Sequence, residues 1–144
     1  MLMSLESVIK KAFFYGSAFL FSVGAFSKEP AETEKIDSLI NTTWHDYSLS
    51  PGQMIDSMEK YYNMARELGY DKGMAGAVVR EGLTNFDRGY FGLAEKDFLE
   101  FLEMMKSKED SLGIADANLN LGMAATKQGE VAKAAEYTIS ALKI

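Results

Sequence analysis

Apolar residues recur along most of this chain at the three- and four-residue spacing of one face of an α-helix. One such stripe consists of Ile36, Leu39, Ile40, Thr43, Trp44 and Tyr47. A second stripe runs from Met54 to Leu68 and stops at Gly69. No segment alternates apolar and polar residues for long, and no Asn-Gly hairpin signal occurs. The pattern predicts an all-α fold.

The second of these helices carries its own start signal in the segment "SLSPGQ". Ser50 is a natural N-cap residue, and Pro51 suits the first helical turn because its missing N–H would be unpaired there anyway. Gln53 completes a capping-box pattern with Ser50. A helix is therefore expected to begin at this point.

The second half of the chain repeats itself at an offset of 40 residues. Seven pairs of identical residues are separated by this offset: Gly73 with Gly113, Ala75 with Ala115, Ala77 with Ala117, Gly82 with Gly122, Gly89 with Gly129, Ala94 with Ala134, and Leu102 with Leu142. A period of this length is typical of stacked helical hairpins. We expect three hairpins, at residues 30–69, 72–106 and 111–144.

The glycines of the repeat have separate structural reasons. Gly82 and Gly122 fall in mid-helix, where two helices of one hairpin are expected to approach too closely for a side chain. Gly89 and Gly129 are expected to make the turn between the helices, which needs a positive φ. Large apolar residues should fill the remaining space, among them Phe98, Phe101, Leu121 and Leu142.

Two segments, "ANLNLGMAATKQGEVAKAAEYTISALKI" and "AVVREGLTNFDRGYFGLAEKDFLEFLEM", resemble the tetratricopeptide repeat family in its longer form of about 40 residues. The resemblance covers residues 68–144 well and 30–67 poorly. Thr126 and Glu81 depart from it, since the family usually has large apolar residues at those places. The resemblance implies a right-handed solenoid of helical hairpins that binds a protein or peptide partner along an inner groove.

The N-terminal segment has the layout of a secretory signal peptide. Lys10 and Lys11 precede an apolar run from Ala12 to Phe26, and Ala25 and Ser27 have the spacing of a cleavage site. The run is shorter than the roughly 20 residues of a membrane-spanning helix. We expect residues 1–27 to be removed, leaving residues 28–144 in the periplasm or outside the cell. The alternatives are an uncleaved membrane anchor through residues 12–26 and a buried helix.

Composition excludes several functional classes. Acidic residues outnumber basic ones by 21 to 15, so no basic surface for nucleic acid is expected. The chain has no cysteine and a single histidine, His45, which leaves little for a metal centre or a nucleophilic triad. His45 is expected at the surface near a helix end. No cofactor and no enzymatic activity are expected.

The resemblance also implies which residues line the inner groove. They are Gly76, Arg80, Leu83, Asp116, Asn120 and Met123. Asn120 matches a family position that holds peptide backbone, and Arg80 is its equivalent one repeat earlier. Arg80 would favour an acidic partner segment. The alternative is that Asn120 bonds within its own array and that Arg80 pairs with a nearby carboxylate.

Methionines provide a further candidate surface. The side chains of Met74, Met104, Met105 and Met123 are flexible and polarisable, and they adapt to different partners. At helical spacing the same residues also serve as ordinary core.

Two functional hypotheses follow. The first is an exported, non-enzymatic interaction module. The second is the periplasmic sensory segment of a longer signal-transduction protein, such as a histidine kinase or a transcriptional regulator. The final helix carries Val131, Ala135, Leu142 and Ile144 with few charges, and a repeat array needs a polar cap. We therefore expect this helix to be covered by further chain, a partner or a second copy.

Overall fold

The protein folds as a series of helices joined by short turns in a computed structural model that describes residues 30–143. The six helices are α1 (Pro30–Trp44), α2 (Pro51–Glu67), α3 (Asp71–Asp87), α4 (Phe91–Ser107), α5 (Ser111–Lys127) and α6 (Val131–Leu142). No strand occurs between residues 30 and 143. The prediction of an all-α, repeat-like architecture is confirmed.

The helices follow a period that is half the sequence repeat. Helices α2, α3, α4 and α5 are each 17 residues long. Each helix from α3 to α6 begins 20 residues after the start of the helix before it. The 40-residue repeat therefore consists of two helices and two turns. Two residues that lie 40 positions apart consequently occupy equivalent places in successive hairpins.

Equal helix lengths result from identical turns. In each of the four turns after α2, one residue adopts a left-handed backbone, namely Gly69 (φ 59°), Gly89 (φ 79°), Glu109 (φ 53°) and Gly129 (φ 77°). The N–H of the next residue donates to the carbonyl five residues earlier, as from Tyr90 to Asn85 at 2.9 Å. This Schellman arrangement satisfies the last carbonyls of each helix. The positive φ predicted for Gly89 and Gly129 is confirmed.

Two of the helix starts have side-chain caps. Ser50 and Gln53 form the predicted capping box: the Gln53 N–H donates to Ser50 Oγ at 3.3 Å, and the Ser50 N–H donates to Gln53 Oε1 at 2.9 Å. Asp110 caps α5 by accepting from the Gly113 N–H at 3.0 Å. These bonds satisfy N–H groups that the helix leaves unpaired.

The interior consists of two apolar clusters in sequence along the array. The first lies where α1 and α2 meet α3 and contains Ile36, Ile40, Met54, Met58, Tyr61, Ala65 and Ala77. The second lies between α3, α4 and α5 and contains Ala75, Val78, Ala94, Phe98, Phe101, Leu102, Ala117, Leu121 and Ala124. Each helix packs mainly on its neighbours in sequence, and α1 additionally contacts α3. Helix α3 contributes to both clusters and so joins them.

Gly82 lies where α3 approaches α4 most closely. A Cβ atom at this position would lie 2.7 Å from the Phe98 ring and 3.1 Å from Asp97 Cβ. The equivalent contact in the last hairpin is looser, because a Cβ at Gly122 would lie 3.1 Å from Thr138 Oγ1. The predicted close approach at both glycines is confirmed.

Two packing predictions are wrong. Tyr47 does not extend the stripe of α1, since the helix ends at Trp44 and the Tyr47 side chain is 92% exposed. Leu142 does not fill the core as Phe98, Phe101 and Leu121 do, because no helix within residues 30–143 packs on the far side of α6 and Leu142 is 80% exposed. Helix α6 has no buried residue at all.

The predicted signal peptide, residues 1–27, lies outside the described residues. Within the described part of the chain, none of the helices has the length and apolar character needed to cross a bilayer.

We predict that Gly82→Ala destabilises the protein by about 1–3 kcal/mol, because the added methyl group overlaps the fully buried Phe98 ring. Gly92→Ala is the matched control, since a Cβ there meets no atom within 4 Å. Urea unfolding followed by circular dichroism measures both. Equal stabilities of the two variants would contradict the close-approach interpretation.

We further predict that Glu109→Gly stabilises the protein by about 1 kcal/mol, because it relieves the cost of a side chain in the left-handed region. Glu109→Ala retains a Cβ and is expected to change the stability little. The midpoint of thermal unfolding distinguishes the variants. A gain from alanine as large as that from glycine would assign the effect to the glutamate side chain instead of the backbone.

Candidate partner-binding groove

A cavity of about 530 Å³ opens between α1, α3 and the C-terminal end of α4. Its apolar walls come mostly from α3 and α4, with Ile40 from α1: Met74, Ala75, Val79, Phe101, Met104 and Met105. Three of the four methionines predicted as an adaptable surface therefore line one cavity. Such a volume with mostly apolar walls matches sites that enclose side chains or small ligands.

Arg80 brings a positive charge into this cavity. Its Nη1 donates to the Gly76 carbonyl at 2.9 Å, and its Nη2 donates to Asn41 Oδ1 at 3.0 Å. The guanidinium carbon lies 5.8 Å from the centre of the Trp44 ring. Its Nε is enclosed and has no hydrogen-bond partner within the described part of the chain. These contacts hold the group in place without cancelling its charge.

Burial lowers the pKa of Arg80, while the field of Asp37 opposes that shift. An arginine retains its proton throughout the physiological range. No carboxylate between residues 30 and 143 forms an ion pair with Arg80 within 4 Å. The alternative that Arg80 pairs with a nearby carboxylate is thus not realised among these residues. The cavity contains a cation that a bound anion would stabilise.

The rim of the cavity is fixed by polar contacts between elements. Tyr70 Oη donates to Asp37 at 2.8 Å, and Lys72 Nζ lies 2.8 Å from the same carboxylate. Lys108, just after α4, forms an ion pair with Asp71 at the start of α3. These contacts tie α1 to α3 and α3 to the turn before α5, so the mouth of the cavity is bounded on both sides.

The residues predicted for the groove are divided among different surroundings. Gly76 and Arg80 line the cavity. Leu83 packs partly buried against the second cluster. Asn120 is only 6% exposed, although it is equivalent to Arg80 in the repeat. The two remaining residues, Asp116 and Met123, are exposed on α5. The structure thus brings two of the six residues together in one cavity, and the partner-binding role of all six stays a prediction.

Helix α1 supplies residues of the cavity that the repeat pattern did not indicate. Ile40 and Asn41 line it, and Asn41 positions Arg80. Residues 30–67 follow the 40-residue repeat only loosely, so no equivalent position pointed to them. The apolar stripe through Ile36 and Ile40 predicted which face of α1 is buried, but it did not indicate that the polar residue Asn41 beside it lines the cavity.

A second cavity, of about 320 Å³, has a different character. It lies between α2, α3 and α4 and is lined by Glu59, Tyr62, Asn63, Val78, Glu81, Lys96, Asp97 and Glu100. Burial raises the pKa of Glu81 to about 7, and the carboxylates of Asp97 and Glu59 add to the shift. Burial also raises the pKa of Asp97, although the side chain of Asn85 donates to it at 2.9 Å.

In the part of the chain that the structure describes, no group of three His, Asp or Glu side chains is placed to hold a metal ion together. His45 is exposed just beyond α1, and its Nδ1 lies 2.7 Å from the Asn41 carbonyl oxygen. Its predicted position at the surface near a helix end is confirmed.

Comparison with known proteins adds no relative: the chain matches no protein-family model, no curated protein and no solved structure at a significant level.

We predict that Glu81→Gln raises stability at pH 8 and weakens its dependence on pH. The pKa of Glu81 rises from an ordinary 4.5 to about 7 on folding. Between these values the folded state binds more protons, so the free energy of unfolding falls as the pH rises through this window. Solvent screening of this partly exposed group limits the loss to about 1–2 kcal/mol.

The measurement is the melting temperature of parent and variant from pH 4 to pH 8. Glu67→Gln is the control, because Glu67 is exposed and lies away from the second cavity. The parent is expected to lose stability across the window and the Glu81 variant to lose less. Parallel curves for parent and Glu81→Gln would contradict the assignment.

Proposed function

We propose that this protein is a non-enzymatic interaction module, a tetratricopeptide-like solenoid whose groove binds a segment of another protein. The observation that carries the proposal is the cavity with methionine walls and a fixed arginine. The N-terminal apolar run from Ala12 to Phe26 supports export of the module to the periplasm or the cell exterior.

The walls of the cavity favour an apolar anchor. Methionine side chains change rotamer easily and remain polarisable, so Met74, Met104 and Met105 can close around aliphatic or aromatic groups of different shapes. Phe101 forms a rigid part of the wall because it is 7% exposed and belongs to the second cluster. One or two apolar side chains of a partner fit a space of about 530 Å³.

Arg80 adds a charge preference to this anchor. Its two hydrogen bonds go to neutral acceptors, a backbone carbonyl and a side-chain amide oxygen. Among the described residues the guanidinium has no ion pair, so a carboxylate of the partner would supply one. The pair would form beside apolar walls, where the effective dielectric constant is lower than in water. The proposed target is a peptide segment with an acidic residue beside an apolar one.

Selection from a random peptide library displayed on phage tests the proposal. Enriched peptides are expected to combine an acidic residue with a large apolar residue. Binding of a selected peptide to the purified chain is then measured by fluorescence anisotropy. Absence of any enriched, saturable binder would contradict the function as an interaction module.

We predict that Met104→Glu weakens binding of the selected peptide at least tenfold, because it places a negative charge on the apolar wall beside an acidic ligand. Leu93→Glu is the matched control, since Leu93 also belongs to α4, is 54% exposed and lies outside the cavity. Circular dichroism establishes that both variants remain helical. Equal binding by the two variants would remove the cavity as the site.

A further inference from the structure

Helix α6 of the last hairpin presents an apolar stripe, which we call the terminal face and define by Val131, Ala135 and Leu142. Leu142 is 80% exposed and Val131 is 77% exposed. The three residues on α6 follow the i, i+4, i+11 spacing of a single helical stripe. No helix within residues 30–143 covers this face.

The preceding hairpin shows how one of these positions behaves when it is covered. Leu102, which is 40 residues before Leu142, is only 5% exposed. Leu102 belongs to the second cluster, to which α5 contributes. Leu142 therefore occupies a position that is enclosed one hairpin earlier.

Charge indicates what covers the terminal face. Two-fold association places a surface against its own copy, so any net charge on that surface repels itself. Residues 111–144 carry three acidic and three basic residues, whereas residues 30–110 carry 16 acidic and nine basic residues. The last hairpin is thus the neutral part of an acidic chain, and here two copies meet without net repulsion.

We propose that the terminal face binds the terminal face of a second copy of this chain. Leucine and valine side chains that are exposed in the single chain are then buried against each other across a two-fold axis, while the more acidic hairpins lie on the outside. This association uses a surface separate from the partner-binding cavity, so it does not depend on the proposed function.

Sedimentation velocity of the full chain over a range of concentrations tests this association. The parent is expected to sediment as a dimer, and Leu142→Lys is expected to raise the dimer dissociation constant at least tenfold, because two unpaired charges enter the interface. Leu93→Lys is the matched control: Leu93 is 54% exposed on α4, and the equivalent residue one repeat later is Lys133. The control is expected to remain a dimer.

A cross-linking experiment locates the contact, since the chain has no cysteine of its own. Ala135→Cys lies within the terminal face and is expected to give a disulfide-linked dimer under mild oxidation. Ala132→Cys, exposed elsewhere on α6, is expected to give little. A parent that stays monomeric throughout would overturn the proposal and leave the face to a different protein. So would association unchanged by Leu142→Lys, or equal cross-linking by both cysteine variants.

Discussion

The left-handed residue that follows each of the four central helices is the constraint on which the rest of this structure depends. It reverses the chain within three residues after α2, α3, α4 and α5, and each reversal uses the same hydrogen bonds. Helices of equal length consequently lie side by side over their full extent, about 25 Å each. Only then do small residues 40 positions apart meet equivalent neighbours, as Gly82 meets Phe98.

The cavity with methionine walls follows from an irregularity in this otherwise regular array. Helix α1 contacts α3 directly, while α3 and α5 are joined chiefly through α4. The end of α4 is therefore not fully covered, and its Phe101, Met104 and Met105 side chains line a cavity in place of a closed core. The contact of α1 with α3 also brings Asn41 and Trp44 to Arg80. One geometric difference between neighbouring hairpins thus produces both the apolar walls and the fixed charge.

The sequence predicted those features that depend on neighbouring residues or on the repeat. The all-α class, the capping box at Ser50 and the turns at Gly89 and Gly129 all have local signals, and Gly82 was identified by its repeat partner. The turn at Glu109 could not be predicted, because glutamate gives no indication of a left-handed backbone. In that turn the hydrogen bonds of the surrounding chain decide the conformation.

The candidate site was less predictable, because equivalent positions in a repeat need not have equivalent surroundings. Arg80 and Asn120 occupy the same place in their helices, yet Arg80 lines a cavity beside α1 and Asn120 is buried. Which neighbour a position meets depends on the hairpin before it, and residues 30–67 match the repeat poorly. Repeat alignment therefore indicated which positions are equivalent but not which residues share a cavity.

The absence of any buried residue from α6 has a consequence for the motions of the protein. This helix is held to the others by its packing across Gly122 and by the ion pair of Lys133 with Glu95 of α4. Every buried member of the two apolar clusters lies on α1 to α5, and α6 adds only the partly buried Tyr137, so α6 can open locally at a small cost in free energy while the earlier helices stay folded. Amide protons of α6 then exchange with solvent ahead of those in α3 and α4. If a second copy of the chain covers the terminal face, the amide protons of α6 exchange with solvent more slowly.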